Sequence, residues 1–231
     1  MDLVKESDVI IDNFKTGDMK KMGLDYENLK QINPRIIQCS VTGFGHTGPL
    51  ANEPGFDPVI QAMSGLMDVT GHPDGEATQV GVPIADILTS HYVVIGILSA
   101  LRMRDLTGKG QFIDLALLDV QMSSLANISS AYLNTGFESS RLGNKHNNVA
   151  PYQVFECEDG PLMFCVGTED QFRKFCEMVN RREWISDERF KTNTLRKQNE
   201  RVLTAYISQI TLTKTRDAWI ELLQHYKIPG G

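Results

Sequence analysis

No two cysteines in this chain stand as C-x-x-C: Cys39, Cys157, Cys165 and Cys176 are scattered. That excludes a zinc ribbon or a thioredoxin-type pair, and the four read as buried, reduced thiols. None of the five histidines (His46, His72, His91, His146, His225) forms an i, i+4 pair or an H-E-x-x-H motif, so the sequence gives no metal site. There is no G-x-S-x-G elbow either, which removes serine hydrolase chemistry. Positive charge is in deficit, 23 Lys and Arg against 29 Asp and Glu for a net −6, which argues against binding a phosphate backbone. The opening "MDLVKESDVIIDNF" is charged and mixed, unlike a signal peptide. The most apolar run, Ile87 to Leu101, is shorter than the roughly 20 residues a bilayer span needs, and it carries Thr89, Ser90 and His91. It reads as a buried core helix. What remains is ordinary globular composition, 41% apolar and 23% charged over 231 residues, enough for a sizeable core.

Apolar periodicity then gives an order of elements. A helix end precedes a short strand at Val9–Ile11. Helical spacing through Met19, Met22, Leu24, Leu29 and Ile32 is interrupted at Gly23, and Pro34 hands over to a second strand, "RIIQCSV". A Gly/Pro loop leads to one helix through "PVIQAMSGLM". A long helix starts near Ile87, ends in Arg102 and Arg104, and stops at Gly108. "GQFIDLALL" reads as a strand and "DVQMSSLANISSAYLNTG" as a helix. After a polar loop, "YQVFECEDGPLMFCVG" reads as a hairpin turning at Glu158-Asp159-Gly160, followed by two or three amphipathic helices. Strands alternating with helices indicate an α/β fold with a parallel sheet. We expect residues 1–145 to form a large Rossmann-like domain and residues 146–231 a smaller α+β domain. The chain opens inside a βαβ pattern and stops at a strand-like "KIPGG", which reads as a piece truncated at both ends.

Three features carry candidate chemistry. The glycines of "GFGHTGP" (Gly43, Gly45, Gly48) lack the spacing of a dinucleotide fingerprint and read as tight turns at the sheet's carboxyl edge. Lys20-Lys21, beside Arg35, read either as a solvated face or as phosphate contacts. Asp86 has two readings. It can cap the helix that starts at Ile87. It can also be a nucleophile, since an ionised carboxylate at a helix N-terminus needs no general base, only an activated acyl group such as a thioester.

Several motifs in order resemble CoA-transferase family III, which also holds α-methylacyl-CoA racemases. They are "SDVIIDNFKTGDMKKMGLDYENLKQINPRIIQCSVTGFGHTGPLANEPGFD", "AMSGLMDVTGHPDGEATQVGVPIADILTSHYVVIGILSAL", "TGKGQFIDLALLD" and "RLGNKHNNVAPYQVF". The resemblance runs through nearly the whole chain. It implies an interlocked dimer of Rossmann-like chains, with one further βαβ segment before this sequence and a return segment after it. It also implies a CoA-transferase working in the cytoplasm or mitochondrial matrix, without nucleic acid or membrane partners. Coenzyme A and acyl-CoA would be substrates and not tightly bound cofactors, and CoA would pass from a succinyl-CoA-like donor to a small carboxylic or dicarboxylic acid.

By the same resemblance Asp86 is the nucleophile, forming an anhydride with the donor acyl group and then an aspartyl-CoA thioester. Asn13, Phe14, Lys21 and Met22 fall on the CoA-binding stretch. Gly43 and Gly45 fall in the acyl channel, while Gly65 reads as a packing glycine. Phe56 stands where the racemases have a histidine in "G-H-D"; a phenylalanine moves no proton, which disfavours a racemase. The loop with His146, Asn147 and Asn148 resembles that of dicarboxylate-type transferases and would lie near the acyl group; by residue type alone it reads equally as a polar interdomain loop. An inactive acyl-CoA-binding or dimerising fragment remains the reading from a different class.

Overall fold

The computed structural model describes residues 2–231 and separates into two compact units, Met1–Arg141 and Leu142–Gly231. Helix α1 (Asp2–Glu6) opens unit 1, and its three strands β1 (Val9–Asp12), β2 (Ile37–Thr42) and β3 (Phe112–Ala116) pair in parallel in that order. Parallel neighbours require crossovers. The first is α2 (Asp18–Lys21) and α3 (Tyr26–Ile32); the second is α4 (Asp57–Met63), α5 (Leu66–Val69) and α6 (Ile84–Thr107). Helices α7 (Leu117–Ser124) and α8 (Ala126–Thr135) follow β3. The chain is therefore an α/β protein.

Local chemistry explains the joints. Pro34 pushes Asn33 out of the helical region, to φ −135°. The freed Asn33 side chain donates to the Val4 and Ser7 carbonyls, tying α3 to the entry of β1. Leu29, Ile36 and Val4 pack beneath this joint, and Ile60, Ala85 and Leu117 form the core between α4, α6 and α7. Gly108 stops α6 with a left-handed φ of 72°.

Several boundaries differ from the expectation. The single helix over 58–67 is two, α4 and α5, broken at Gly65. A side chain there would meet nothing within 4 Å, so this glycine serves its positive φ of 85° and not packing. Strand β3 ends at Ala116, giving Leu117 and Leu118 to α7, and the helix after it breaks at Ala126, whose φ is positive. The long helix starts at Ile84 instead of Ile87. At 24 residues α6 is long and apolar enough, by length and composition, to cross a membrane. It is also not the buried core helix expected. Only Ala85, Thr89, Ala100 and Arg104 are buried, while Tyr92, Val94, Ile95 and Leu98 are exposed. Its apolar residues run all round, so one face meets β2, β3 and α7 and the other stays open.

In unit 2 the antiparallel strands β4 (Tyr152–Cys157) and β5 (Gly160–Cys165) join through Glu158-Asp159, and Gly160 already pairs with Cys157. The closing residues lie along β5, with the Cys165 N–H donating to the Pro229 carbonyl at 2.9 Å and the Met163 N–H to that of Gly231 at 3.1 Å. Four α-helices follow the hairpin instead of two or three: α9 (Glu169–Met178), α10 (Asn193–Gln198), α11 (Glu200–Thr211) and α12 (Arg216–Tyr226), with a 3-10 turn at Arg182–Ile185. Asn199 separates α10 from α11 because its side chain donates to the Leu195 carbonyl and its backbone leaves the helical region. Phe155, Phe164 and Phe175 stack in the core, with centroids 4.6 and 5.5 Å apart. All four cysteines are free; Cys165 is only half-buried, and burial pushes Cys39 up to about 11 and Cys176 up to about 12.

Arg196 is wholly buried in unit 2. It donates to the Ala150 and Phe190 carbonyls and to Glu169, and its guanidinium lies 4.1 Å from the Phe172 ring centroid. Its hydrogen bond is the main reason the Glu169 carboxyl sits below its ordinary value. Arg196→Met should therefore lower the unfolding free energy of unit 2 by about 3 kcal/mol, since two buried carbonyls lose their donor. A depressed carboxylate contributes stability above its unfolded pKa, which is lost as pH falls through the folded one. Urea titrations at neutral and acid pH should thus show the variant's deficit shrinking on acidification.

Candidate active site

Several of the candidate site residues of unit 1 gather at the carboxyl ends of the parallel strands, where open α/β sheets place their ligands. Strand β1 delivers Asn13 and Phe14 and β2 delivers Gly43; the loop beyond β2 returns with Gly55 and Phe56. Alternation sends Ser40 and Val41 to opposite faces. Ser40 joins a buried polar chain, donating to Asp12 at 2.8 Å and lying 2.8 Å from His46 Nε2. Val41 faces a cleft of about 330 Å³ that also has Asn13, Phe56, Asp57, Asp86, Thr89 and Ser90 on its walls. A second cleft of about 230 Å³ shares Asn13, Val41, Gly55 and Phe56 with it and extends past Phe14, Lys15 and Asn52.

Asp86 is not a cap. The N-cap position of α6 is Pro83, whose side chain offers no acceptor, and Asp86 sits in the first turn. The capping oxygen comes from 28 residues earlier in the chain. Asp57 Oδ2 accepts from the Ala85 N–H at 2.8 Å and the Asp86 N–H at 3.3 Å. Asp57 is buried at the start of α4, with Pro58 behind it. Its other oxygen accepts from Gln61 Nε2, and Gln61 Oε1 accepts from the Val80 N–H at 2.8 Å. The Asp86 carboxylate makes no hydrogen bond among the described residues and stays open to the cleft. Partial desolvation, and after it the Asp57 charge, hold its carboxyl above the ordinary value. A carboxylate in this state, at a helix N-terminus, is a candidate nucleophile.

The other expected site residues divide. Asn13 is fixed by donating to the Val41 carbonyl at 2.8 Å, and Phe14 and Phe56 are exposed. Gly43 and Gly55 cross backbone to backbone: a Cβ on either would lie 2.6 Å from the other's Cα. Gly45 is a turn residue with φ 84°, its N–H held by Thr42 Oγ1. Lys21, paired with Asp18 at 2.7 Å, and the exposed Met22 line neither cleft. His146 and Asn147 belong to unit 2, where the His146 ring lies tilted against Tyr152 with centroids 4.9 Å apart and its carbonyl accepts from Lys197. Sequence reasoning missed Asp57, Gln61 and Lys15. The i, i+4 spacing of Asp57 and Gln61 was visible, but their partners lie far along the chain, in the first turn of α6 and in the loop before it.

The sequence profile of CoA-transferase family III matches residues 1–231. The chain belongs to CoA-transferase family III. It is 43% identical over 229 residues to a succinate–glutarate CoA-transferase of Agrobacterium fabrum, covering 99% of this chain and 57% of that protein. It is 38% identical over 224 residues to the succinyl-CoA:glutarate CoA-transferase of Mus musculus, covering 97% and 51%. A crystal structure of a CAIB/BAIF family protein from Brucella suis superimposes with a TM-score of 0.84 at 48% identity, over 99% of this chain and 61% of that one. The chain thus spans little more than half the length of these family III relatives.

The Gly43–Gly55 crossing holds both clefts in register. Gly55→Ala should cost about 1–3 kcal/mol of stability, the usual penalty of overpacking. Thermal unfolding checks this: a lower midpoint than the parent's is expected.

Proposed function

We propose that the protein is a CoA-transferase that moves CoA from a donor acyl-CoA to a small dicarboxylic acid through a covalent intermediate on Asp86. One observation carries the reading: Asp86 stands at the mouth of a helix that another residue caps, with its carboxylate unengaged. The Asp86 oxygen attacks the donor thioester carbonyl; the C–S bond breaks, giving a mixed anhydride and CoA thiolate. The thiolate attacks the Asp86 carbonyl of the anhydride, forming an aspartyl-CoA thioester and releasing the donor acid. The acceptor carboxylate attacks that thioester, forming a second anhydride and freeing the thiolate. The thiolate then takes the acceptor acyl group and returns Asp86 as a carboxylate. No water enters, so the thioester's free energy is conserved.

Asn13 and Phe14 would hold the CoA, with Lys15 at the rim as a phosphate contact and Lys21 and Met22 farther along the nucleotide. The relatives named for succinate and glutarate support a succinyl-CoA donor and a dicarboxylate acceptor. The Rossmann-like fold and interlocked homodimer belong to the same proposal; the exposed apolar residues Val94, Ile95 and Leu98 of α6 fit an association surface. A racemase is disfavoured because Phe56, on the wall of the Asp86 cleft, supplies no second base.

The test is transfer from succinyl-CoA to glutarate. Ping-pong kinetics are expected, and Asp86→Asn should abolish transfer, by at least about 10⁴-fold; an Asp86→Asn variant with parental turnover would sink the proposal. The pH profile adds a second check. Only the ionised carboxylate attacks, and the Asp86 carboxyl is raised, so the acid limb of kcat/KM should lie above the ordinary aspartate value of about 3.9.

A further inference from the structure

A nucleophilic carboxylate at the start of a helix faces a conflict. The first N–H groups of the helix lack intrahelical acceptors, and a nearby acid side chain folds back to satisfy them. Engaged in that way, its lone pairs are committed to the backbone and turned away from a substrate. In α6 the Pro83 ring leaves the helix without a side-chain acceptor of its own, so the conflict should be acute. The structure resolves it with two buried residues of α4.

We propose that Asp57 and Gln61 are positioning residues for the transfer reaction: Asp57 caps α6 from outside so that the Asp86 carboxylate stays free, and Gln61 clamps the loop leading into the helix. The inference rests on the reading of Asp86 as nucleophile. The polarity of the network is fully specified. Asp57 Oδ2 accepts from the Ala85 and Asp86 N–H groups, and Oδ1 accepts from Gln61 Nε2. Gln61 Oε1 accepts from the Val80 N–H, while Nε2 makes a longer contact of 3.4 Å with the Val82 carbonyl. Loop, helix start and nucleophile backbone are thereby referred to one side-chain pair, and both members are buried, Gln61 to 1% exposure. A buried pair of this kind allows little lateral play, and a displacement of about 1 Å in a reacting group costs about 100-fold in rate.

The specified polarity supplies the test. Asp57→Asn turns an amide N–H₂ toward Gln61 Nε2, so two donors face each other. Gln61→Glu alone sets two carboxylates together. The double variant Asp57→Asn, Gln61→Glu reverses the polarity. The amide oxygen introduced at position 57 caps the helix, and the amide nitrogen beside it donates to the carboxylate introduced at position 61. The second oxygen of that carboxylate accepts from the Val80 N–H. Only the long contact to Val82 is given up, and the net charge is unchanged.

With the full chain, transfer from succinyl-CoA to glutarate is measured for the parent, both single variants and the double variant, alongside thermal unfolding. Each single variant should lose about 100-fold in kcat with KM for succinyl-CoA held, and the double variant should recover most of the loss. A folded Asp57→Asn with parental kcat, or a folded double variant no better than the singles, overturns the positioning role and leaves Asp86 as nucleophile standing. A parent whose turnover survives Asp86→Asn overturns the underlying reading, and this role with it. Should Asp57→Asn fail to fold, Gln61→Met keeps the cap and removes the clamp. A lower kcat at constant KM then supports the proposal, and an unchanged kcat overturns it.

Discussion

A carboxylate can serve a helix or a substrate, and the constraint on which unit 1 depends is that Asp57 takes the first task for α6 and leaves the Asp86 carboxylate unengaged. Asp57 accepts the free N–H groups in the first turn of α6, and everything around it follows from the need to keep that accepting oxygen in place. Pro58 starts α4 without a wasted N–H. Gln61, one turn on, donates to the second oxygen of Asp57 and reaches the incoming loop. The Gly43–Gly55 crossing brings the segment before Asp57 against the end of β2. The placement of Asp86 is thus a property of the chain between Gly43 and Ala85 as a whole, and only secondarily of its own helix.

The two units solve the problem of stability differently. Unit 2 has a large continuous core of aromatic and aliphatic side chains running from Phe155 to Ile228, with Arg196 buried beside it and bonded to two carbonyls and Glu169. Unit 1 has two small clusters, around Leu29 and around Ile60, and leaves Ile95, Leu98 and Leu133 on its surface. Apolar residues on both faces make α6 long and apolar enough, by length and composition, to cross a membrane, although one side is packed on the sheet.

Much of the fold was legible because it is written in local chemistry. Pro34 and Gly108 mark ends that the backbone obeys, and the alternation of strand and helix pointed to the parallel sheet. Asp86 was legible as a residue of interest because an acid at a helix start is either a cap or a site. The choice between the two was not legible from local chemistry. It depends on an oxygen 29 residues away in sequence, and no local pattern reports a tertiary cap. The helix start was misplaced for the same reason: without Asp57, a start at Ile84 leaves N–H groups unsatisfied, so Ile87 with Asp86 as cap looked better. The openness of α6 was missed because an apolar run signals burial without saying against what.

The account stands on Asp86 carrying the acyl group, and the most direct measurement is to find it there. The full chain is incubated with succinyl-CoA, quenched with hydroxylamine, digested, and its peptides are weighed. The account predicts a hydroxamate on Asp86, none on Asp57, and no adduct anywhere in Asp86→Asn. A hydroxamate on another carboxylate, or none on Asp86 while CoA binds and glutaryl-CoA still forms, would contradict it.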